Sequence, residues 1–227
     1  MAELAGGAAL VEAVLWDMDG LLVDTEPLWT VAEVELAASF GGTWDEQIKA
    51  AVVGTRLDVA VPTVLRWFGV PDTPAQVAET SAWLLARMVE LFARSLTPMP
   101  GALGLLSALH REGVPLALVS SSYRVLVDAV LDGGIGPFAV TVAGDEVADG
   151  KPHPEPYLTA AGALGVDPAR CVVLEDSPSG VASGEAAGCA VVAVPSVPGV
   201  MLDPAPRRLV APSLESVRVT DLRALVT

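Results

Sequence analysis

The stretch Val11-Glu12-Ala13-Val14-Leu15-Trp16-Asp17-Met18-Asp19-Gly20 joins an apolar run to two carboxylates and a glycine. The apolar run has the near-continuous hydrophobic character of a strand that is buried on both faces of a parallel sheet. Asp17 follows this run directly, so its side chain is predicted at the carboxyl end of the strand, and Gly20 permits a tight turn behind it. An Asp-x-Asp-Gly sequence alone is a weak signal, because acidic turns after strands are common.

Four more short apolar runs follow and are separated by helix-like segments. They cover residues 114–119, 138–143, 171–174 and 190–194. Pro100-Gly101 opens one helix that ends near Gly113, and Pro154 opens another that ends near Gly165. Strands and helices in alternation predict an α/β fold, a doubly wound parallel sheet built from βαβ units.

Almost a hundred residues separate the first predicted strand from the second, from Gly20 to Gly113, and they contain no convincing strand pattern. Helical patterns lie there instead, at about residues 26–40, 57–68 and 74–94. A βαβ crossover needs far less chain, so the surplus predicts an all-helical cap inserted after Asp19, which can close over a site at the strand ends. The predicted division is core at 1–25, cap at 26–98 and core again at 99–227, with residues 1–10 as a loose leader.

Polar groups also follow the second and fourth predicted strands. Ser120, Ser121 and Ser122 come after the second strand and offer hydroxyl and amide groups to phosphate oxygens. Glu175 and Asp176 come after the fourth strand. Acidic groups at the ends of two strands can meet at one hard cation, and oxygen-only ligands favour Mg²⁺.

Lys151 lies just before the helix that opens at Pro154. The chain has two lysines, Lys49 and Lys151, against eleven arginines. A lysine in so arginine-biased a sequence suggests a need for a compact ammonium charge. Each of these features alone could be a simple turn or helix cap. Turns and caps do not explain why four such features fall at the ends of successive elements.

The composition limits the classes of partner. The 227 residues are 52% hydrophobic, and the formal net charge is −15 at pH 7. This charge argues against nucleic acid or anionic lipid as a partner, because both need a basic footprint, but it permits a small anion that meets local positive charge. No stretch resembles a membrane span or a secretory signal, so we expect a cytoplasmic protein. Two histidines are too few for a multi-histidine zinc site, and Cys171 and Cys189 are expected as buried residues.

The four motifs, in this order, resemble the haloacid dehalogenase superfamily from about Val11 to the C-terminus. Residues 17–20 resemble its first motif, Ser120 the second, Lys151 the third and Glu175-Asp176 the fourth. The helical insertion is similar to the small cap of subfamily IA, as in β-phosphoglucomutases and sugar phosphatases. The stretches that are similar to the 2-deoxyglucose-6-phosphatase and hexitol-phosphatase branch are residues 19–29, 54–58 and 151–154.

The resemblance implies a Mg²⁺-dependent phosphomonoester hydrolase that forms an aspartyl-phosphate on Asp17 and uses Asp19 as general acid and base. It implies a small phosphorylated metabolite as the partner, a sugar or polyol phosphate, and a monomer or homodimer as the enzyme. The implied phosphate-binding residues are Ser120, Ser121 and Lys151. The implied metal ligands are Asp17, Asp19 through its backbone carbonyl, and Asp176, with Glu175 bound through water or supporting the ligands. Arg56 is the cap residue expected to reach the substrate.

Other activities of the same fold remain open at this stage. A phosphomutase of the β-phosphoglucomutase kind shares the four motifs and Thr25. It has a histidine where this chain has Trp29, and Glu26-Pro27 of this chain also differs from the mutase pattern. A phosphonatase would need a Schiff-base lysine in the cap, where Lys49 is the only candidate. A dehalogenase would lack the second aspartate of the first motif. A non-catalytic binding protein is disfavoured because all the motif residues are present.

Overall fold

The computed structural model describes residues 11–52, 55–196 and 202–226. The predicted leader at 1–10, and Gly54 of the 54–58 stretch, lie outside these ranges. The strands are β1 Ala13–Trp16, β2 Leu116–Val119, β3 Val140–Val142, β4 Cys171–Glu175, β5 Ala190–Ala193 and β6 Arg208–Val210. They form one parallel sheet of six strands in the order β3-β2-β1-β4-β5-β6. The predicted α/β fold with a parallel sheet is confirmed.

The sixth strand, β6, is absent from the sequence prediction. It has three residues, begins with Arg208, and lies at the edge of the sheet, where it pairs with β5. Its residues are half-buried, so it lacks the continuous apolar character that marks the central strands. The five predicted strands are all found, each within two residues of a predicted end.

Nine α-helices lie in the described ranges. They are α1 Glu26–Ser39, α2 Glu46–Val52, α3 Leu57–Trp67, α4 Pro74–Ser95, α5 Ala102–Arg111, α6 Arg124–Asp132, α7 Glu155–Leu164, α8 Pro178–Ala186 and α9 Val219–Leu225. The three helices predicted in the insertion correspond to α1, α3 and α4. The prediction missed α2, a seven-residue helix whose first turn is held by the Asp45 carboxylate, which accepts from the amides of Gln47 at 2.9 Å and Ile48 at 3.0 Å.

The helical segment leaves the sheet and returns to it at one place. Val23 forms isolated bridges with Asp19 and with Pro98. The amide of Asp24 donates to the carbonyl of Thr97 at 2.8 Å, which ties the outgoing and returning chains together. We propose that this double connection is the hinge between a core and a cap, with the boundaries at 25/26 and 98/99.

Two apolar layers enclose the sheet. Along β1, Val14 and Trp16 belong to one buried cluster, and Ala13 and Leu15 belong to the other. This alternation is what successive side chains of a strand produce. Both layers continue across the central strands, so the carboxyl ends of β1, β2 and β4 are held rigidly beside one another. Cys171 and Cys189 are buried and unpaired, as predicted.

Glu33 in α1 carries an electrostatic cost at neutral pH. Its pKa is raised to about 7 by burial and by the charge of Glu26, while Lys49 partly offsets the shift. A carboxyl whose pKa is higher in the folded state binds its proton more tightly there than in the unfolded chain. The free energy of unfolding therefore falls as the pH rises from about 4.5 to about 7.

Glu33→Gln is expected to remove this loss. At pH 8 the variant should be more stable than the wild type by about 1–2 kcal/mol, a value discounted for the partial exposure of the group. At pH 4 the two proteins should differ little, because Glu33 is protonated in both states. Urea unfolding at the two pH values measures the difference, with Glu79→Gln on the exposed face of α4 as the control. Equal stabilities at pH 8 would contradict the prediction.

Candidate active site

The carboxyl ends of the three central strands meet at one buried site. Asp17 follows β1 and is 6% exposed, and its amide donates to the carbonyl of Leu174 in β4 at 3.0 Å. Ser120 follows β2, Glu175 is the last residue of β4, and Asp176 follows it; all three are buried. Since β1 lies between β2 and β4, where the strand order reverses, these groups lie at the position where open α/β sheets bind ligands.

Lys151 joins this group from the loop before α7. Its Nζ lies 2.5 Å from Oδ1 of Asp17 and 2.7 Å from Oε1 of Glu175. A third hydrogen bond goes to the carbonyl of Val119 at 2.9 Å, so each ammonium proton has an acceptor. The side chain is 4% exposed, and its geometry is fixed by these three partners.

The charges at the site are unbalanced. Burial alone would lower the pKa of Lys151, but the charges of Asp17 and Glu175 outweigh it and raise that pKa, so the ammonium stays charged. The pKa of Asp17 is raised well above its usual value by burial and by Glu175, and Lys151 offsets only part of this shift. Three carboxyl groups, those of Asp17, Glu175 and Asp176, thus face one ammonium.

Both oxygens of the Glu175 carboxylate are already bonded. Oε1 accepts from Lys151 and, at 2.8 Å, from the hydroxyl of Tyr157. Oε2 accepts from the amide of Asp176 at 3.0 Å, and from the amide and the hydroxyl of Ser177 at 3.1 and 3.0 Å. Glu175 is fully buried. It therefore fixes the position of the Lys151 ammonium and of the chain that carries Asp176.

Asp19 lies in a different environment from Asp17. Its Oδ1 accepts from the Thr25 hydroxyl at 2.7 Å. Its Oδ2 accepts from the hydroxyls of Ser120 at 3.0 Å and Ser122 at 2.9 Å. The carboxylate thus faces the hydroxyl groups at the end of β2 and that of Thr25, and these three hydroxyl groups hold it in place.

Asp176 completes the acidic group on the side of β5. It accepts a short hydrogen bond from the Ser196 hydroxyl. Burial and the charge of Glu175 raise the pKa of Asp176 to about 7. The backbone at Gly20, with φ of 78°, passes so close that a side chain there would contact the Asp176 carboxylate. The predicted tight turn after the first motif is confirmed, and it brings the Asp17 and Asp176 loops together.

Arg56 lies at the N-terminus of α3, beside the loop that carries Lys151. Its Cδ would be 2.9 Å from a β-carbon at Gly150, so the arginine packs directly on this loop. Its Nε is buried, has no hydrogen-bond partner in the described structure, and lies 3.5 Å from Oδ1 of Asp58. Two predicted site residues stand apart from the central cluster in the described structure: Arg56, and Ser121, whose backbone packs against Gly144.

A comparison with protein families agrees with this arrangement. The family model for haloacid dehalogenase-like hydrolases matches residues 11–188, which include the loop of every motif residue described above. The chain belongs to the haloacid dehalogenase-like hydrolase family.

Several relatives in this family are phosphatases by name. The chain is 35% identical over 195 residues to the bifunctional riboflavin kinase/FMN phosphatase of Arabidopsis thaliana, and that match covers 83% of this chain but half of the relative's length. It is 31% identical to hexitol phosphatase B of Escherichia coli K12, over 93% of this chain and 94% of the relative. This chain is a phosphatase-type enzyme of the family.

A solved structure shares the whole architecture. CbbY from Rhodobacter sphaeroides, in complex with phosphate, superimposes with a TM-score of 0.81 at 29% identity, over 91% of this chain and 96% of the other. In the described part of the present chain, the helices are all too short or too polar to cross a membrane.

The acidic group of this hydrolase has the chemistry of a site for a hard cation. One carboxylate oxygen from each of Asp17, Glu175 and Asp176 lies within 4.8 Å of the others. With all three carboxyl groups ionised, they and the Lys151 ammonium would carry a net charge of −2, which a divalent cation would neutralise. Oxygen-only donors are the ligands that Mg²⁺ prefers. The residues present therefore fit the metal that the family resemblance implies.

Tyr157 and Thr25 contact the site but were not among the predicted site residues. The Tyr157 ring lies with its centroid 5.0 Å from the Lys151 Nζ, a cation–π contact that adds to its hydrogen bond with Glu175. Thr25 was noted only as a feature shared with mutases. A tyrosine on the apolar face of α7 is a signal that could have been noticed, since a buried hydroxyl needs a partner.

Gly180 in α8 allows the Glu175 carboxylate to approach the helix. A β-carbon at Gly180 would lie 1.7 Å from Oε1 of Glu175. Gly180→Ala is expected to displace Glu175 and with it Lys151, to destabilise the fold by about 2–3 kcal/mol, and to reduce kcat/KM at least tenfold. Thermal unfolding and steady-state kinetics measure the two effects.

Gly162→Ala in α7 is the matched control, because nothing lies within 4 Å of a β-carbon at that helical glycine. It should be neutral or stabilising by up to about 1 kcal/mol, through helix propensity. If the two variants retained equal stability and activity, Glu175 would not hold the site as described.

Proposed function

We propose that this phosphatase is Mg²⁺-dependent and transfers the phosphoryl group of a small sugar or polyol phosphate first to Asp17 and then to water. The observation that carries the proposal is the buried Asp17 carboxylate, fixed against Lys151 at the end of the central strand, with a second carboxylate two residues away. The names of the phosphatase relatives support the reaction, and hexitol phosphatase supports the class of substrate.

The metal would be held by Asp17, Asp176 and the backbone carbonyl of Asp19. Glu175 would support these ligands, because both of its oxygens are already bonded within the protein. When bound, Mg²⁺ supplies positive charge that keeps Asp17 ionised and offsets the charge of the phosphoryl oxygens. This charge would counter the raised pKa of Asp17, which Lys151 offsets only in part.

In the first step, a carboxylate oxygen of Asp17 attacks phosphorus as the bond from phosphorus to the ester oxygen breaks. The leaving oxygen takes a proton from Asp19. Lys151 and the Ser120–Ser121 segment stabilise the charge on the equatorial oxygens. The Ser120 hydroxyl, which now donates to Asp19, is placed to donate to a phosphoryl oxygen instead. Uncatalysed hydrolysis of phosphate monoesters has one of the highest barriers in biochemistry, and the enzyme must lower it by about 20 kcal/mol. The covalent intermediate divides this barrier into two steps.

In the second step, Asp19 takes a proton from a water molecule as that water attacks phosphorus. The bond between phosphorus and Asp17 breaks, and inorganic phosphate leaves. Asp19 suits both proton transfers because its hydrogen-bond donors, Thr25, Ser120 and Ser122, are neutral hydroxyls, whereas Asp17 is held by an ammonium. Different surroundings thus give the two carboxylates different tasks.

The cap formed by residues 26–98 would exclude water and select the substrate, with Arg56 as its contact. We further propose a cytoplasmic enzyme that acts on a small phosphorylated metabolite as a monomer or homodimer, without nucleic acid or membrane as a partner. The net charge of −15 supports the last point.

The phosphonatase alternative has no support in the structure. Its Schiff base would form on Lys49, and such a lysine needs a lowered pKa. Here the Lys49 ammonium lies 2.7 Å from Glu26, and this hydrogen bond is the main cause that raises its pKa. Trp29, at the position of the mutase histidine, packs half-buried against the apolar core and offers no acid or base for a mutase cycle.

Asp17→Asn tests the nucleophile. Purified variant and wild type are assayed with p-nitrophenyl phosphate at saturating Mg²⁺. The variant should lose at least about a thousandfold in kcat, because an amide cannot replace the carboxylate in forming the covalent intermediate. Asp132→Asn, at the exposed end of α6, is the control and should retain full activity.

Activity of Asp17→Asn within tenfold of the wild type would refute the assignment. The same wild-type preparation, given β-glucose 1-phosphate, should release inorganic phosphate. Accumulation of glucose 6-phosphate in its place would show a mutase.

A further inference from the structure

The basic residues of the cap are already matched by carboxylates. Residues 26–98 contain five basic and nine acidic side chains, a net charge of −4. Four of the five basic side chains form ion pairs within this segment: Lys49 with Glu26, Arg56 with Asp58, Arg66 with Asp72, and Arg87 with Glu35 and Glu90. The fifth, Arg94, is exposed in the last turn of α4. The cap is therefore a poor surface for a second anionic group.

Lys49 and Arg56 each contact a segment next to the central cluster, and both have acidic neighbours. Glu26, the partner of Lys49, directly follows Thr25, whose hydroxyl bonds Asp19. Arg56 packs on the Lys151 loop and has Asp58 beside it. Arg56 thus keeps donors for hydroxyl groups, but Asp58 cancels the net positive charge that a phosphate or carboxylate would need.

On the core side, a carboxylate likewise occupies the place where a second anion could bind. Helix α6 begins right after the Ser120–Ser122 segment, and its N-terminus would otherwise be a place for an anion. The Asp145 carboxylate occupies it, accepting from the amide of Arg124 at 2.8 Å. The guanidinium of Arg124 points to Glu146, with bonds at 2.9 and 2.5 Å, and to Thr141.

Tyr123 directly follows Ser122, and its phenol feels the charges of Asp58, Asp145 and Arg56. Burial raises the pKa of its phenol, Asp58 and Asp145 raise it further, and Arg56 opposes them. Two carboxylates and one guanidinium therefore act on one half-buried side chain next to the phosphate-binding serines. The local charge on this side of the site is negative.

We infer that the substrate carries a single anionic group, the phosphoryl group that is transferred, and that the rest of it is a neutral, hydroxylated alcohol. Bisphosphates and phosphorylated carboxylic acids would bring a second anion to a place where Asp58 and Asp145 repel it. This inference rests on the proposed function and specifies its substrate class, with Asp58 as a residue that determines specificity.

The test compares kcat/KM values at pH 7.5, with p-nitrophenyl phosphate as the measure of basic activity. The first group contains what we call neutral monoesters, because the alcohol part carries no charge: sorbitol 6-phosphate, mannitol 1-phosphate, glucose 6-phosphate and glycerol 3-phosphate. Fructose 1,6-bisphosphate and phosphoglycolate form the other. The best neutral monoester should exceed both competitors, each of which carries a second anionic group, by at least about thirtyfold, since each added repulsion near the surface is worth a factor of several.

Asp58→Asn should raise kcat/KM for fructose 1,6-bisphosphate by about three- to tenfold relative to the best neutral monoester. Asp72→Asn is the matched control, because it removes an aspartate paired with an arginine at the other end of α3, and it should leave the ratio unchanged. A bisphosphate or phosphoglycolate that equals the best neutral monoester, or a ratio that shifts equally in both variants, would overturn the inference while leaving the phosphatase proposal intact. Absence of turnover of p-nitrophenyl phosphate would instead overturn the proposed function, and this inference with it.

Discussion

The contact between the Lys151 ammonium and the carboxylates of Asp17 and Glu175 is the interaction on which the site depends. Burying ions costs several kcal/mol each unless partners and hydrogen bonds compensate. Lys151 satisfies all three of its protons, and Glu175 receives five hydrogen bonds. The compensation is incomplete, because three carboxylates face one ammonium. In the proposed mechanism, a divalent cation would offset this acidic excess.

The fold supplies this arrangement through strand order. Because β1 lies between β2 and β4, the chain ends that carry Asp17, Ser120 and Glu175 are neighbours although they are far apart in sequence. Helices α7 and α8 then close the site from one face, through Tyr157 and through the glycine at position 180. The helical segment leaves and returns beside Asp19, so movement at its hinge would act directly on the proposed general acid.

The sequence was sufficient for the central elements because buried parallel strands are continuous apolar runs and their last residues must meet at one edge. Asp17, Ser120, Glu175 and Asp176 came together for that reason, and Lys151 joins them from the loop before α7. The edge strand β6 and the short α2 were missed because three or seven half-apolar residues carry little pattern. Tyr157 was missed because its contact with Glu175 depends on how α7 packs, which no local pattern encodes. The five bonds of Glu175 are likewise a tertiary property, and they explain why it supports the site.

The most direct test of the central claim is the effect of Mg²⁺ on thermal unfolding of metal-free protein. At 10 mM Mg²⁺ and a Kd of about 1 mM, the unfolding temperature of the wild type should rise by about 3–6 °C. Asp176→Asn should abolish the rise. Asp149→Asn should preserve it, because Asp149 belongs to a second, exposed acidic group with His153 and Glu155. A rise that survives Asp176→Asn and disappears in Asp149→Asn would contradict the account, as would no rise in the wild type.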